Sequence, residues 1–397
     1  MLALFTGSAV FPGLNGLWLR RAFLTLASAL FLWVQADDVL KIAVLVAFVL
    51  TGYVAARILA WRPSTVLLAV YLTGLTAAFV LLKGYAFLEL VPGDGLLALA
   101  INLVGLSFIF FRQIHYVVDV RQGDIRDVEL WSYLAYQFNP FTLLAGPIQR
   151  YQIFSEDWRT LTPLPADAHE LRKAFLRILI GVIKVAFIGD YCYWLAFNAP
   201  PAWGIWADVA RFYLFPAYVY LNFAGYCDIV IAGAALVGLR VPENFDKPYV
   251  ARNMIDYWTR WHRSLSFWIR DYVFTPTYMA IARRQPTWAP QLAFACYFWA
   301  LFLAGVWHGS TWNFVVFGLL NGVGVSAAKL WENIIVARSG RKGLRAYLAS
   351  KPILWAARIG TFNFACLTMI FLRPESTWEL KNWVMQTLGL VLPAAAG

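Results

Sequence analysis

The chain has 397 residues, 61% of them hydrophobic and 14% charged, with a mean hydropathy of +0.61. A soluble domain is nearer half apolar and a quarter charged, so composition excludes an ordinary globular enzyme and predicts a polytopic membrane protein. Lysine and arginine exceed aspartate and glutamate by 33 − 22 = 11, yet no RNA- or DNA-reading motif accompanies the excess, so nucleic acid is not expected as a partner.

A helix needs roughly 20 apolar residues to cross about 30 Å of hydrocarbon. In chain order such segments fall at 22–36, 39–60, 64–82, 95–111, 130–146, 173–198, 205–225, 226–241, 289–307, 311–330, 352–372 and 380–396, and ten to twelve of them are expected to cross, a few dipping in only partway. Backbone amides in lipid need internal partners, and these runs are too long for barrel strands, so the expected fold is an all-α bundle. The first run follows Arg20 and Arg21 with no small-residue cleavage site after it, which reads as a retained anchor rather than a signal peptide. By the positive-inside rule the connection RSGRKGLRAYLASK at 338–351 and the arginine-rich stretch 240–284 face the cytoplasm. The cysteines, Cys192, Cys227, Cys296 and Cys366, are scattered through apolar segments with no paired spacing; they read as packing residues and support neither a metal site nor a disulfide framework.

No internal repeat is visible. Polar interruptions fall at 112–129, 147–172 and 242–288. In the second, TPLPADAHE places prolines ahead of an acidic helix start, so an ordered loop is expected to feed a helix over about 168–198. His115, beside the first interruption, and His169, in that helix start, read as structural or solvated.

The third interruption contains WTRWHRSLSFWIRDYVF, residues 258–274. On a helical wheel Trp258, Trp261, Leu265, Trp268 and Tyr272 form one narrow stripe, while Asp256, Arg260, Arg263 and Arg270 share another face. The segment is expected to be a continuous amphipathic helix at the membrane interface, aromatics in the headgroup boundary and arginines toward water. His262 falls at the edge of the aromatic stripe on the side of Ser266. Two readings stand: the arginines bind lipid phosphates while His262 fills a polar gap, or the segment serves chemistry.

The next signal is YFWALFLAGVWHGSTWNFVVFGLLNGVGVSAAKLW, residues 297–331. Between Gln291 and Lys329 the one residue that readily carries charge near neutrality is His308. The run is too long for a single span, so Gly309 and Ser310 are expected to mark a break between two helices. A broken helix at membrane depth must be buried in protein or line a wet cavity, and an ionisable residue there is a functional candidate; the competing reading is a neutral histidine bonded to a neighbouring helix. Without metal ligands around it, an imidazole can act as general base, taking a proton from a hydroxyl that attacks an acyl carbon. No GxSxG elbow, P-loop or GxGxxG is present, which favours direct acyl transfer over an acyl-serine intermediate.

At this point the sequence resembles the membrane-bound O-acyltransferase (MBOAT) family. The run FAGYCDIVIAGAALVGLRVPENFDKPYVARNMIDYWTRWHRSLSFWIRDYVF, residues 223–274, is similar to its central signature, and WHGSTWNFVVFGLLNG, residues 307–322, to its second histidine motif. SFIFFRQIHYVVDVRQGD and LAGPIQRY resemble two further family blocks, so the likeness covers about residues 20–330 of what reads as a single membrane domain over 1–397. FAGY and SLSFWIRDY look closer to the bacterial branch that transfers D-alanine to teichoic acids, PENF and LAGPIQRY to the alginate O-acetylation branch. After WIRDYVF, TPTYMAIARRQPT stands where the acetyl branch carries a glycine-rich turn, and Arg263 stands where an apolar residue is more usual.

The resemblance implies a ring of about 10–12 membrane helices around a central region where a cytosolic thioester donor and an acceptor hydroxyl meet. It implies His308 as principal catalytic histidine and His262 as its companion, with Arg260, Trp261, Arg263, Ser266, Arg270, Asp271, Trp307 and Asn313 as candidate substrate-binding residues. The arginine face becomes a candidate platform for the phosphates of coenzyme A or for an acidic carrier protein. No bound metal or cofactor is expected, acetyl-CoA or an acyl carrier protein thioester being the donor substrate. Expected partners are membrane lipids, an envelope glycan or polymer as acceptor, and an extracytoplasmic acyltransferase; the expected location is the cytoplasmic (inner) membrane, multi-pass. Alternatives carried alongside are a conduit presenting the donor to a separate transferase, an acyltransferase acting on lipid, and a transporter, for which the required paired broken helices or inverted repeats are not visible.

Overall fold

A computed structural model describes residues 16–36, 38–85, 87–88, 101, 103–162 and 168–373. The expected span at 380–396, the first part of the one at 95–111, and most of the TPLPADAHE loop lie outside the described residues. The described secondary structure is helical, with no strand. The chain forms two compact units, one of Met1–Ile188 with Leu221–Asn244, the other of Gly189–Tyr220 with Phe245–Gly397.

In the first unit, α1 (Leu17–Gln35), α2 (Val39–Trp61) and α3 (Thr65–Lys83) are apolar and long enough to span. Capping sets their starts: Asp38 accepts from the Leu40 amide at 2.9 Å and Ser64 from that of Leu67 at 3.3 Å, and Gly84, at φ 63°, ends α3 in the left-handed conformation. Helix α4 (Leu106–Gln122) turns an unusually polar face inward, burying Arg112, Gln113, His115 and Asp119. Two short helices follow, α5 (Leu130–Gln137) and α6 (Tyr151–Thr160), then α7 (Ala168–Ile183), whose last turn widens into a π-helical turn over Lys184–Gly189.

The expected span at 130–146 does not form. Helix α5 ends after eight residues because Asn139–Pro140 folds back, the Asn139 side chain accepting from the Phe141 amide at 3.2 Å. The buried Arg112 takes over the helix's loose end: its Nη1 donates to the carbonyls of Tyr136 and Gln137 at 2.8 and 2.6 Å, and its Nη2 to Thr142 Oγ1. Arg112→Leu should therefore orphan two buried carbonyls and cost ~3 kcal/mol, read as a lowered unfolding midpoint in detergent. An unchanged midpoint would show that water replaces the guanidinium.

The segments expected at 205–225 and 226–241 are one 32-residue helix, α9 (Ile205–Leu236); α8 (Asp190–Phe197) precedes it. Residues 205–220 of α9 belong to the second unit and 221–236 to the first. Gly225 stands at the expected boundary but stays helical, and Pro216, inside the helix, leaves its carbonyl facing Tyr249, whose hydroxyl donates to it at 2.9 Å.

The second unit continues with α10 (Met254–Arg260), α11 (Arg263–Ile269), a π-helical turn over Arg270–Phe274, α12 (Thr275–Arg284), α13 (Ala289–His308), α14 (Trp312–Ala349) and α15 (Lys351–Ile370). Helices α13 and α14 pack closely as a hairpin. Glycines permit it: a Cβ on Gly305 would overlap the Cα of Gly318, and one on Gly322 would lie 2.9 Å from the Phe298 carbonyl. Gly318 and Gly322 are four apart, the small-xxx-small spacing that lets membrane helices approach backbone to backbone. The basic stretch 338–351 is no simple connection: a kink at Gly340, φ 66° and ψ −178°, divides α14 in two, the second part runs to Ala349, and Ser350 leads into α15.

Among the described residues six helices are long and apolar enough to cross a membrane, and the chain is a multi-pass membrane protein. That is fewer than the ten to twelve expected. Some expected spans fuse or stop short, as above, and others fall outside the described residues. Helix α13 narrowly misses on length, its apolar stretch being Leu292–His308.

Candidate active site

Helix α10 ends at Arg260, where the Trp261 amide still closes the last turn onto Tyr257 O at 2.7 Å and the Asp246 amide takes the Arg260 carbonyl at 2.9 Å. His262 then adopts the left-handed conformation, φ 44° and ψ 52°, and its carbonyl receives the Ser266 amide at 3.0 Å as α11 begins. The stretch 258–274 is thus not one helix, which corrects the continuous amphipathic helix expected from its periodicity. Its tryptophans are not in a headgroup boundary either: Trp258, Trp261 and Trp268 are buried in the protein. The break places His262 at the corner between two short helices, 1% exposed.

His308 is the last residue of α13, and the expected break follows it. Gly309 is extended, at φ −161° and ψ 168°, and a Cβ there would run into the ring of Phe314. Thr311 then starts α14. The His308 ring stands 4.9 Å from that of Trp307, meets the ring of Phe317 edge to face at 5.7 Å, and lies 6.2 Å from that of His262. His308 is half-buried, His262 fully buried. Of the two imidazoles in this neighbourhood, that of His308 is the more exposed and that of His262 is fully buried.

Sequence reading passed over Asn321. It lies four residues after Phe317 and eight after Asn313, on one face of α14. Its Oδ1 accepts from Trp258 Nε1 at 3.2 Å, and its Nδ2 donates to the Phe317 carbonyl at 2.9 Å. A buried amide thus ties α10 to the turn of α14 whose phenylalanine braces His308. The available signal was the helical spacing of an asparagine inside an apolar run.

The remaining candidates divide. Trp307 adjoins His308 and is 9% exposed. Trp261 packs in the core, its ring 5.8 Å from that of Tyr257, with Tyr220, Phe245 and Tyr249 also around it. Ser266 Oγ donates to the Trp261 carbonyl at 3.3 Å, and Asn313 Nδ2 donates to the Arg373 carbonyl. Arg260 forms ion pairs with Asp256 at 2.8 Å and Asp246 at 3.8 Å; Arg270 pairs with Asp271 at 2.7 Å. The guanidinium groups of Arg263 and Arg270 stand 5.6 and 5.0 Å from the Phe267 ring. Nearby carboxylates therefore offset much of the expected basic face. His115 is buried and accepts from the Tyr151 amide at 3.1 Å, a structural role; His169 is exposed. The cysteines carry no disulfide, and among the described residues no group of three His, Cys, Asp or Glu could hold a metal ion.

Burial, and then the neighbouring His308, holds the His262 imidazole well below its ordinary value of 6.5, so it is neutral near pH 7. An unfolded chain would take up a proton at this residue below pH 6.5 while the folded site would not. Stability is therefore greatest above that value and falls as the pH drops beneath it. Buried His115 shifts in the same direction, so the contribution of His262 is the difference between wild type and His262→Asn. Asparagine tolerates the left-handed backbone, and the variant should fold with a shallower loss of melting temperature between pH 7 and pH 5. His262→Val, unsuited to positive φ, should lose a further ~1–2 kcal/mol at pH 7. Equal melting curves for the two variants would contradict the backbone account.

The sequence model of the membrane-bound O-acyltransferase family matches residues 23–371. The chain belongs to that family. This MBOAT chain is 28% identical over 284 residues to a teichoic acid D-alanyltransferase of Streptococcus thermophilus, covering 68% of each sequence. It is 28% identical over 273 residues to the protein of that name from Bacillus subtilis, covering 67% of each. With a probable alginate O-acetylase of Azotobacter vinelandii it shares 29% identity over 227 residues, 55% of this chain and 43% of that protein. The MBOAT chain thus spans about two thirds of the D-alanyltransferases and less than half of that acetylase.

Proposed function

We propose that this MBOAT protein moves a short acyl group, acetyl or D-alanyl, from a cytosolic thioester to a hydroxyl of an extracytoplasmic envelope polymer, from the cytoplasmic membrane. The observation that carries the reading is the pairing of a half-buried His308 with a buried His262, their rings 6.2 Å apart, at two helix ends. Family membership supplies the reaction class, and the relatives' names supply envelope polymers as acceptors.

In the proposed reaction His308 removes the proton from the acceptor hydroxyl as its oxygen attacks the thioester carbonyl. The C–O bond forms, the C–S bond breaks, and the thiolate leaves with the proton. His262, fixed at its corner, positions His308 and stays neutral, taking up no proton while His308 carries one. Trp307 and Phe317 hold the His308 ring on two sides. Arg260, Arg263 and Arg270 lie outside this pairing and are proposed to meet the acidic part of the donor, the phosphates of coenzyme A or an acidic carrier protein, Arg260 and Arg270 by exchanging their internal carboxylate partners.

The test compares envelope polymer from cells with and without the protein, reading ester-linked acyl groups by mass spectrometry. Loss of one ester without the protein supports the reading, and its mass names the acyl group. An unchanged ester profile overturns it.

A further inference from the structure

A groove of about 850 Å³ lies in the first unit along α1, bordered by α2, α5 and α6. Its volume falls in the range of ligand pockets, ~300–1,000 Å³. On α1 its lining residues recur every three or four positions from Leu17 to Trp33, so the groove follows one helix face for about 24 Å. That length matches most of a bilayer's hydrocarbon, and α1 is a spanning helix.

The lining separates by polarity. Along the shaft the walls are apolar, and the hydroxyls present are already used: Thr25 Oγ1 donates to Arg21 O and Ser28 Oγ to Leu24 O, both at 2.8 Å. Such walls suit a hydrocarbon chain and offer a polar ligand nothing. Arg21 and Trp18 line the groove at the start of α1, with Trp158 of α6; Arg21 Nη2 reaches the Arg159 carbonyl at 3.5 Å and Arg159 pairs with Asp127 at 2.9 Å, which brings to this end the segment whose Glu129 and Trp131 also line the groove, the Glu129 carboxylate accepting from Ser132 Oγ. Arg21 Nε and Nη2 donate to the Trp158 carbonyl at 3.1 and 2.9 Å, and its guanidinium lies 5.4 Å from the Trp158 ring centre, so carbonyl and ring hold it while, among the described residues, its charge meets no carboxylate within ion-pair distance. Tryptophans gathered at one end of a spanning helix mark the headgroup level.

We propose that this groove binds one phospholipid with an amine headgroup, its acyl chain along α1, its phosphate at Arg21 and its ammonium at Glu129. A cation and a carboxylate in one mouth complement a zwitterion; a headgroup that is anionic throughout would meet Arg21 but be repelled by Glu129. None of these residues belongs to the proposed catalytic pair, and the site stands whether or not the transfer reaction does.

The test uses full-length protein reconstituted in vesicles of phosphatidylethanolamine and phosphatidylglycerol at 3:1, re-extracted in mild detergent, with retained lipid counted per protein by mass spectrometry. Wild type should keep one phosphatidylethanolamine. Ala29→Trp, and independently Ala22→Phe, should fill the shaft and expel it with the melting temperature unchanged. Arg21→Gln should lower retention about tenfold, the scale of a lost charge-assisted bond. Glu129→Gln should keep a lipid but lose the preference over phosphatidylglycerol. Wild-type protein retaining no lipid, or folded shaft variants retaining it in full, would overturn the site. Retention of the two lipids by wild type at their 3:1 input ratio, or with phosphatidylglycerol enriched over it, would overturn the headgroup assignment.

Discussion

His308→Ala is expected to lower acyl transfer by ~10²–10⁴-fold, the usual contribution of a positioned general base. The loss should appear in kcat rather than in KM, because the imidazole acts on a proton in flight. The fold should survive: His308 is half-buried, ends its helix, and is followed by the extended Gly309, so removing the ring leaves the α13 backbone unchanged. Thermal unfolding in detergent checks this separately. Full transfer by the variant would remove His308 from the mechanism, while a collapsed melting curve would show that its contacts with Trp307 and Phe317 are chiefly structural.

Gly305→Ala is expected to damage both stability and activity. The added methyl would overlap Gly318 on the facing helix, and neither backbone can yield without separating α13 from α14. Overpacking of this kind costs ~1–3 kcal/mol. Gly305 lies three residues before His308 on the same helix, so separation also shifts the imidazole relative to His262, and a displacement of about 1 Å can cost ~10²-fold in rate. Gly360→Ala provides the contrast. A Cβ there meets nothing within 4 Å, so the change should leave activity intact and raise helix stability by ~0.5–1 kcal/mol. If the two alanine variants behave alike, close glycine packing does not hold the site.

The sequence was most informative where a single property dominated. Long apolar runs marked α2, α3 and α15 within a residue or two, and the isolated charge of His308 beside Gly309 and Ser310 marked a real helix break. It was least informative where tertiary contacts overrode local pattern. Residues 130–146 are apolar enough to span, yet Arg112, eighteen residues before α5, ends that helix by taking its carbonyls. The periodicity of 258–274 is helical because its tryptophans do share a buried side, but it cannot reveal the left-handed His262 that divides the segment. The basic face read from the wheel carries its own counter-charges, Asp246, Asp256 and Asp271, and Asp246 lies fourteen residues before Arg260, beyond the reach of a wheel. Asn321 escaped notice because an amide in an apolar run gains meaning from what it touches, here Trp258 and the Phe317 carbonyl.

The measurement that most directly tests His308-dependent acyl transfer uses purified protein alone in vesicles, given an isotopically labelled acyl thioester and a hydroxyl-bearing polymer acceptor. Wild type should form an ester-linked label without any other protein, and His308→Ala, equally folded and equally inserted, should form almost none. If wild type moves no label until a separate transferase is added, or if the variant matches wild type, the catalytic assignment is contradicted and the protein passes the acyl group on rather than placing it.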